Sequence, residues 1–260
     1  MILKNNDKQN FSFKLLIIGY FILILLGGFL LTLPISTRDS NGASFFDAIF
    51  TSTSAACVTG LVVQDTATYW SIFGQFIILL LIQIGGLGFL TILLMAIMIT
   101  GKRIGLLGRN TMKVSISAPN FGGVLKITKF IFLTTVCVEF LGAISLSFQF
   151  CKEFDFLKGI WYSIFHSVSA FCNAGFDLMG VKSQFSSLTS YIDNTHIIVT
   201  FVLLILIGGI GFFTLNDIKT NKFHFKKYSM QSKVVLTVTT FLLIIPFVFF
   251  FLFEFSDMPI

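Results

Sequence analysis

Charged residues are scarce in this chain. Asp, Glu, Lys and Arg make up 12% of its 260 residues, against about 25% in a soluble domain. An ordinary water-soluble globule is thereby excluded. The four cysteines, Cys57, Cys137, Cys151 and Cys172, include no CxxC pair, which argues against a zinc ribbon or a thioredoxin-like site. Histidine occurs three times, at His166, His196 and His224, each in a different segment. The chain has no HExxH, GxSxG or GxxxxGK motif, so the residue sets of a metalloprotease, a serine hydrolase and a phosphate-loop enzyme are all missing. No enzymatic role and no cofactor is expected; a membrane hydrolase is a poor second class.

What is present is apolar. Hydrophobic residues make 55% of the chain and the mean hydropathy is +0.90, which marks an integral membrane protein. The net charge is +6, but the basic residues gather on alternate loops rather than on a nucleic-acid-binding arm. Lys4, Lys8 and Lys14 precede the first apolar run. Lys102, Arg103, Arg109, Lys113, Lys126 and Lys129 lie between the second and third, and Lys219, Lys222, Lys226, Lys227 and Lys233 precede the fifth. Only Arg38, Lys152, Lys158 and Lys182 fall on the opposite loops. By the positive-inside rule the N-terminus and both basic loops are cytoplasmic.

Two segments echo each other. Residues 51–61, TSTSAACVTGL, align at an offset of 115 with residues 166–176, HSVSAFCNAGF, matching Ser54 with Ser169, Ala55 with Ala170, Cys57 with Cys172 and Gly60 with Gly175. Each follows a short amphipathic stretch, 44–50 in one copy and 159–165 in the other. About a dozen residues of helix rise about 18 Å, too short to cross a bilayer that needs about 20 residues. Such a helix enters the membrane and ends in a glycine-bearing loop. Irregular backbone at that depth needs surrounding protein or a water-filled path, which suggests a pore whose carbonyls replace water around a cation. The alternative is a surface hairpin before a core helix. A second echo, IQIGGLGFLTI around Gly85, Gly86 and Gly88 and ILIGGIGFFTL around Gly208, Gly209 and Gly211, stands at an offset of 123. These glycines suit either a helix bend or close helix packing.

Residues 51–65, 74–89 and 166–178 together closely resemble the Trk/Ktr/HKT superfamily of potassium transporters, most nearly the bacterial Ktr-type membrane subunit, with the likeness running over about 15–254. The resemblance implies an all-α membrane protein of repeated helix–pore helix–filter loop–helix units, with two complete units and the first helix of a third. Residues 1–14 form the cytoplasmic N-terminus, with 1–10 polar and frayed; 15–100 form the first unit, 101–123 a cytoplasmic linker and 124–215 the second unit. Residues 216–233 make another linker, and 234–260 the first helix of a third unit, truncated relative to the family's four. Within the units, spans are expected over 15–34, 71–100, 124–151, 195–215 and 234–253, the second of them long enough to be tilted or broken.

The filter candidates, acting mainly through backbone carbonyls, are Cys57, Val58, Thr59, Gly60, Cys172, Asn173, Ala174 and Gly175. With glycine at both Gly60 and Gly175, the resemblance implies potassium as the transported ion. Cys57 and Cys172 read as small residues packed behind the filter. The resemblance also implies uptake down the electrochemical gradient, a homodimer in the bilayer of the cell membrane, and a cytoplasmic nucleotide-binding regulatory subunit docking on the basic loops. A competing expectation is a truncated, non-conducting fragment of such a transporter.

Four outer acids, Asp47, Asp65, Asp177 and Asp193, either concentrate cations at the mouth or are solvated loop residues. Glu139, midway along the third span, is a candidate polar site inside the membrane or a hydrogen-bonded packing residue. His166 is expected to pack or hydrogen-bond rather than bind metal.

Overall fold

The computed structural model describes residues 3–88, 91–92, 124–222 and 224–253. The expected linker 101–123, with Lys102, Arg103, Arg109 and Lys113, lies outside the described residues, as do the end of the expected second span and residues 254–260.

Eight α-helices are described: α1 (Leu3–Thr32), α2 (Phe45–Ala56), α3 (Ile72–Leu87), α4 (Val124–Glu153), α5 (Phe156–Phe171), α6 (Thr195–Ile210), α7 (Phe212–Asn221) and α8 (Met230–Phe253). No strand is present among the described residues. Lys126–Glu153 and Met230–Phe253 are each long and apolar enough to cross a membrane, and Leu16–Thr32 and Ile72–Leu87 are shorter apolar helices. Helix α8 carries Pro246 in its interior, a residue tolerated in membrane helices where neighbours re-satisfy the freed carbonyl.

The structure moves several boundaries. Helix α1 begins at Leu3, so the N-terminal residues expected to fray are helical. Adding residues to an established helix avoids the cost of a new nucleus, and the long apolar run supplies that nucleus. Helix α5 begins at Phe156, with Asp155 at its N-cap, three residues before the expected start. The long second span ends its first helix at Leu87 because Gly88 takes φ 81°, ψ 128°. Its counterpart Gly211, at φ 87°, ψ 144°, separates α6 from α7 in the same way. The third glycine of each echo is thus a break. Gly85 and Gly86 remain helical within α3, and Gly208 and Gly209 within α6.

The chain divides into two compact units, Met1–Leu206 and Ile207–Ile260. In the first, two helical hairpins are built alike. Ser52 Oγ on α2 donates to the Ile24 carbonyl of α1 at 2.8 Å, and Ser167 Oγ on α5 donates to the Glu139 carbonyl of α4 at 2.7 Å. A Cβ on Gly27 would fall 2.5 Å from Ser52 Oγ and 2.8 Å from Leu81, and one on Gly142 would meet Ser167 Oγ and Leu204 in the same fashion. Both pairs obey the offset of 115, so the echo extends into the long helices where the bare sequence shows little identity.

Helix α3 lies between the hairpins and touches both. A Cβ on Gly85 would strike the Ala56 carbonyl oxygen at the end of α2 and lie 2.9 Å from Val58. One on Gly86 would lie 2.5 Å from Cys172 Sγ, just past the end of α5. About three turns earlier, Gln75 is buried; it accepts from Trp161 Nε1 of α5 at 2.8 Å and donates to the Trp70 and Thr66 carbonyls at 3.1 and 3.3 Å.

In the second unit, Asp217 on α7 accepts from the Ser229 amide at 3.0 Å and from the Ser229 and Ser232 hydroxyls at 2.7 and 2.6 Å, closing the turn into α8.

Gly85→Ala is expected to cost about 1–3 kcal/mol, because the methyl group meets a backbone oxygen rather than a side chain that can rotate away. Thermal unfolding of the purified protein in detergent checks this.

Candidate functional site

The echoed loops have the same hydrogen-bond pattern, residue for residue. After α2, Cys57, Val58 and Thr59 donate their amides back to Thr53, Ala55 and Ser54 at 2.8, 3.2 and 2.9 Å. After α5, Cys172, Asn173 and Ala174 donate to Val168, Ala170 and Ser169 at 2.9, 3.1 and 2.8 Å. The matched serines also work on their loops. Ser54 Oγ accepts from Thr59 Oγ1 at 2.9 Å, and Ser169 Oγ donates to the Phe176 carbonyl at 2.6 Å.

This pattern forces the backbone into uncommon geometry. Val58 and Asn173 take φ 58° and 57°, and Gly60 and Gly175 take φ 73° and 75°. A β-branched residue with positive φ is an outlier, and such strain persists only where the surroundings impose it. With three successive amides turned back into each helix, the donors are spent and the acceptors are left over. Among the described residues, no backbone hydrogen bond outside the helices ends on a carbonyl oxygen of 57–60 or 172–175.

The loops meet at their glycines. A Cβ on Gly60 would lie 2.5 Å from the Ala174 oxygen and 3.2 Å from Gly175 Cα, and one on Gly175 would lie 3.4 Å from Gly60 Cα. Each helix also directs the negative end of its macrodipole towards its loop, about half an elementary charge. The arrangement therefore offers oxygen atoms and negative potential to a cation. Among the described residues, no group of three or more His, Cys, Asp or Glu side chains is placed to hold a metal ion.

The cysteines are free and unlike in burial: Cys172 is buried against Gly86, whereas Cys57 is exposed. Only Cys172 packs behind its loop.

The other candidates separate clearly. His166 is fully buried; its Nδ1 lies 2.7 Å from the Tyr162 carbonyl and its Nε2 lies 3.1 Å from the Leu178 amide. A carbonyl needs a donor and an amide needs an acceptor, so the ring is the neutral Nδ1-protonated tautomer, tying the segment after the second loop back to α5. Asp65 is buried, not solvated. Its Oδ1 accepts from the amides of Ala67 and Thr68 at 3.0 and 2.9 Å, and its Oδ2 accepts from the Phe185 amide at 2.9 Å. It thus pins the longer connection that follows the second loop.

Asp177 accepts from the Met179 amide at 2.9 Å. Burial holds its carboxyl above the ordinary carboxylate range against that amide, and the nearby Asp65 charge adds to the effect. Asp47 accepts from Gln64 Nε2 at 3.2 Å, and Asp193 is exposed. Glu139 Oε1 accepts from Gln83 Nε2 at 2.9 Å, a contact between α4 and α3. Sequence reasoning missed Gln75, Gln83 and the clamp by Asp65, and it matched Ser54 with Ser169 without giving either a role.

Residues 5–257 match the family described as TrkH, cation transport protein. The chain belongs to that family. It is 43% identical over 255 residues to the potassium/sodium uptake protein NtpJ of Enterococcus hirae, covering 97% of this chain and 55% of that one. It is 40% identical over 244 residues to the Ktr system potassium uptake protein B of Bacillus subtilis, covering 94% and 53%. The corresponding protein of Vibrio alginolyticus is 31% identical over 244 residues, covering 93% and 52%. The chain spans about half the length of these curated relatives. Family membership and the apolar helices make it a membrane protein of a cation-transport family.

Asp65→Ala is expected to leave the Phe185, Ala67 and Thr68 amides without their acceptor, at about 1–3 kcal/mol for each that stays buried. Faster hydrogen exchange at Phe185 and Thr68, with the α1 amides unchanged, is the expected readout.

Proposed function

We propose that this chain takes part in potassium uptake across the cell membrane, with residues 57–60 and 172–175 contributing backbone carbonyls to a selectivity filter. The observation that carries the reading is the paired loop geometry: spent amides, available carbonyls, and contact at Gly60 and Gly175. The relatives' names, potassium/sodium and potassium uptake proteins, support the choice of ion.

In this reading each helix–pore helix–filter loop–helix unit supplies one wall of the path: 15–100 the first, 124–215 the second, with residues from 234 opening a third. The N-terminus and the linkers 101–123 and 216–233 face the cytoplasm, where the lysines and arginines gather. The carbonyls replace the hydration shell of the ion, and the pore-helix dipoles offset its charge. The driving force is the electrochemical gradient, about 2.3 kcal/mol per charge for each 100 mV.

In the same reading the chain works as a homodimer with a cytoplasmic nucleotide-binding regulatory subunit; relatives named as potassium uptake proteins of a Ktr system support such a partner. Neutralising Lys102 and Arg103 is expected to reduce co-purification of that subunit.

The deciding experiment expresses residues 1–260 in a bacterium lacking its own potassium uptake and follows rubidium uptake at low external potassium, with membrane abundance measured in parallel. Uptake is expected, and Gly60→Ser is expected to weaken the preference for potassium over sodium, since the added side chain meets the Ala174 carbonyl. Good abundance without uptake would overturn the reading for this chain.

A further inference from the structure

The Gln83–Glu139 pair stands where the two copies differ. By the offset of 115 the counterpart of Glu139 is Ile24, and by the offset of 123 the counterpart of Gln83 is Leu206. The repeat therefore fills the equivalent positions with aliphatic side chains. At the seam where α3 of the first copy meets α4 of the second, these positions instead hold an amide against a carboxylate, 2.9 Å apart.

The surroundings of the pair link it to the loops. On the α4 side, the Glu139 carbonyl accepts from Ser167 Oγ of α5 at 2.7 Å, five residues before Cys172. On the α3 side, Gln83 stands two and three residues before Gly85 and Gly86, which rest on Ala56 and Cys172 at the ends of the two short helices. Sliding or turning α3 against α4 would carry both glycines off those contacts. Gln75, about two turns away on α3, ties the helix to α5 through Trp161, so two glutamines hold α3 against the second copy at two heights. Hydrogen bonding of this kind favours one register, where aliphatic contacts alone allow several.

We propose that Gln83 and Glu139 are positioning residues: their hydrogen bond is a strut that fixes α3 between the copies and thereby sets the separation of the two carbonyl loops. Any effect on ion selection rests on the transport reading above; the geometric claim does not.

The test uses Cys172 as reporter, because it is buried against Gly86. In a parent carrying Cys57→Ser, Cys137→Ser and Cys151→Ser, the rate of Cys172 labelling by a membrane-permeant maleimide is measured in native membranes at matched abundance. Gln83→Leu and Glu139→Ile introduce the residues that the repeat itself uses, so side-chain volume is largely kept. Each is expected to raise the labelling rate about fivefold, the scale of one hydrogen bond. The double variant is expected to remain raised, to no more than the singles, while the exchange Gln83→Glu with Glu139→Gln returns it to within about twofold of the parent. Should the all-aliphatic double variant label like the parent, ordinary packing suffices and the strut is refuted; singles that label like the parent refute it equally. If the labelling pattern holds while the parent chain moves no rubidium, the transport reading fails and the strut stands.

Discussion

Exposed peptide groups cannot be left unsatisfied inside a bilayer, and the arrangement of this chain follows from that constraint. Helices α2 and α5, of 12 and 16 residues, are shorter than a bilayer crossing needs, and each ends in irregular backbone. The amides there are absorbed by turning three in a row back into the parent helix. The carbonyls have no such recourse, and α3 presses against the ends of both short helices through adjacent glycines. Strained backbone at Val58 and Asn173 is the cost of that solution. It recurs at matched positions because the same hydrogen-bond pattern imposes it each time.

Much of this was legible before any coordinates. The double echo gave the short helices, the glycine-ended loops and their correspondence, since backbone requirements such as positive φ restrict residue choice and leave a visible mark. The break in the second span was foreseen from its length, and its place at Gly88 follows once that glycine is seen to be the one outside the helix. Boundaries fared less well. Neither the helical start at Leu3 nor the Asp155 cap carries an apolar signal, because hydropathy reports the membrane interior rather than the extent of the helix.

Side-chain pairings between distant segments stayed hidden for a different reason. Gln83 and Glu139 are 56 positions apart, and Asp65 and Phe185 are 120 apart; no local periodicity registers such contacts. Asp65 shows how this misleads. Among polar loop residues it looks like a solvated acid, yet it is buried and fully occupied in holding two connections together. The identity of its partner, a backbone amide, leaves no trace in residue type. Glu139, by contrast, announced itself by being charged in an apolar run, although the residue that answers it did not.

A protein built by copying one segment begins with interchangeable parts. The aliphatic residues Ile24 and Leu206, standing where Glu139 and Gln83 stand in the other copy, show that this equivalence has lapsed. The last helix of the first segment now carries a mark that the first helix of the second answers. Duplication supplied the shape of each part, and divergence at a single seam wrote in their order, so that exchanging the segments would leave an amide and a carboxylate each facing hydrocarbon.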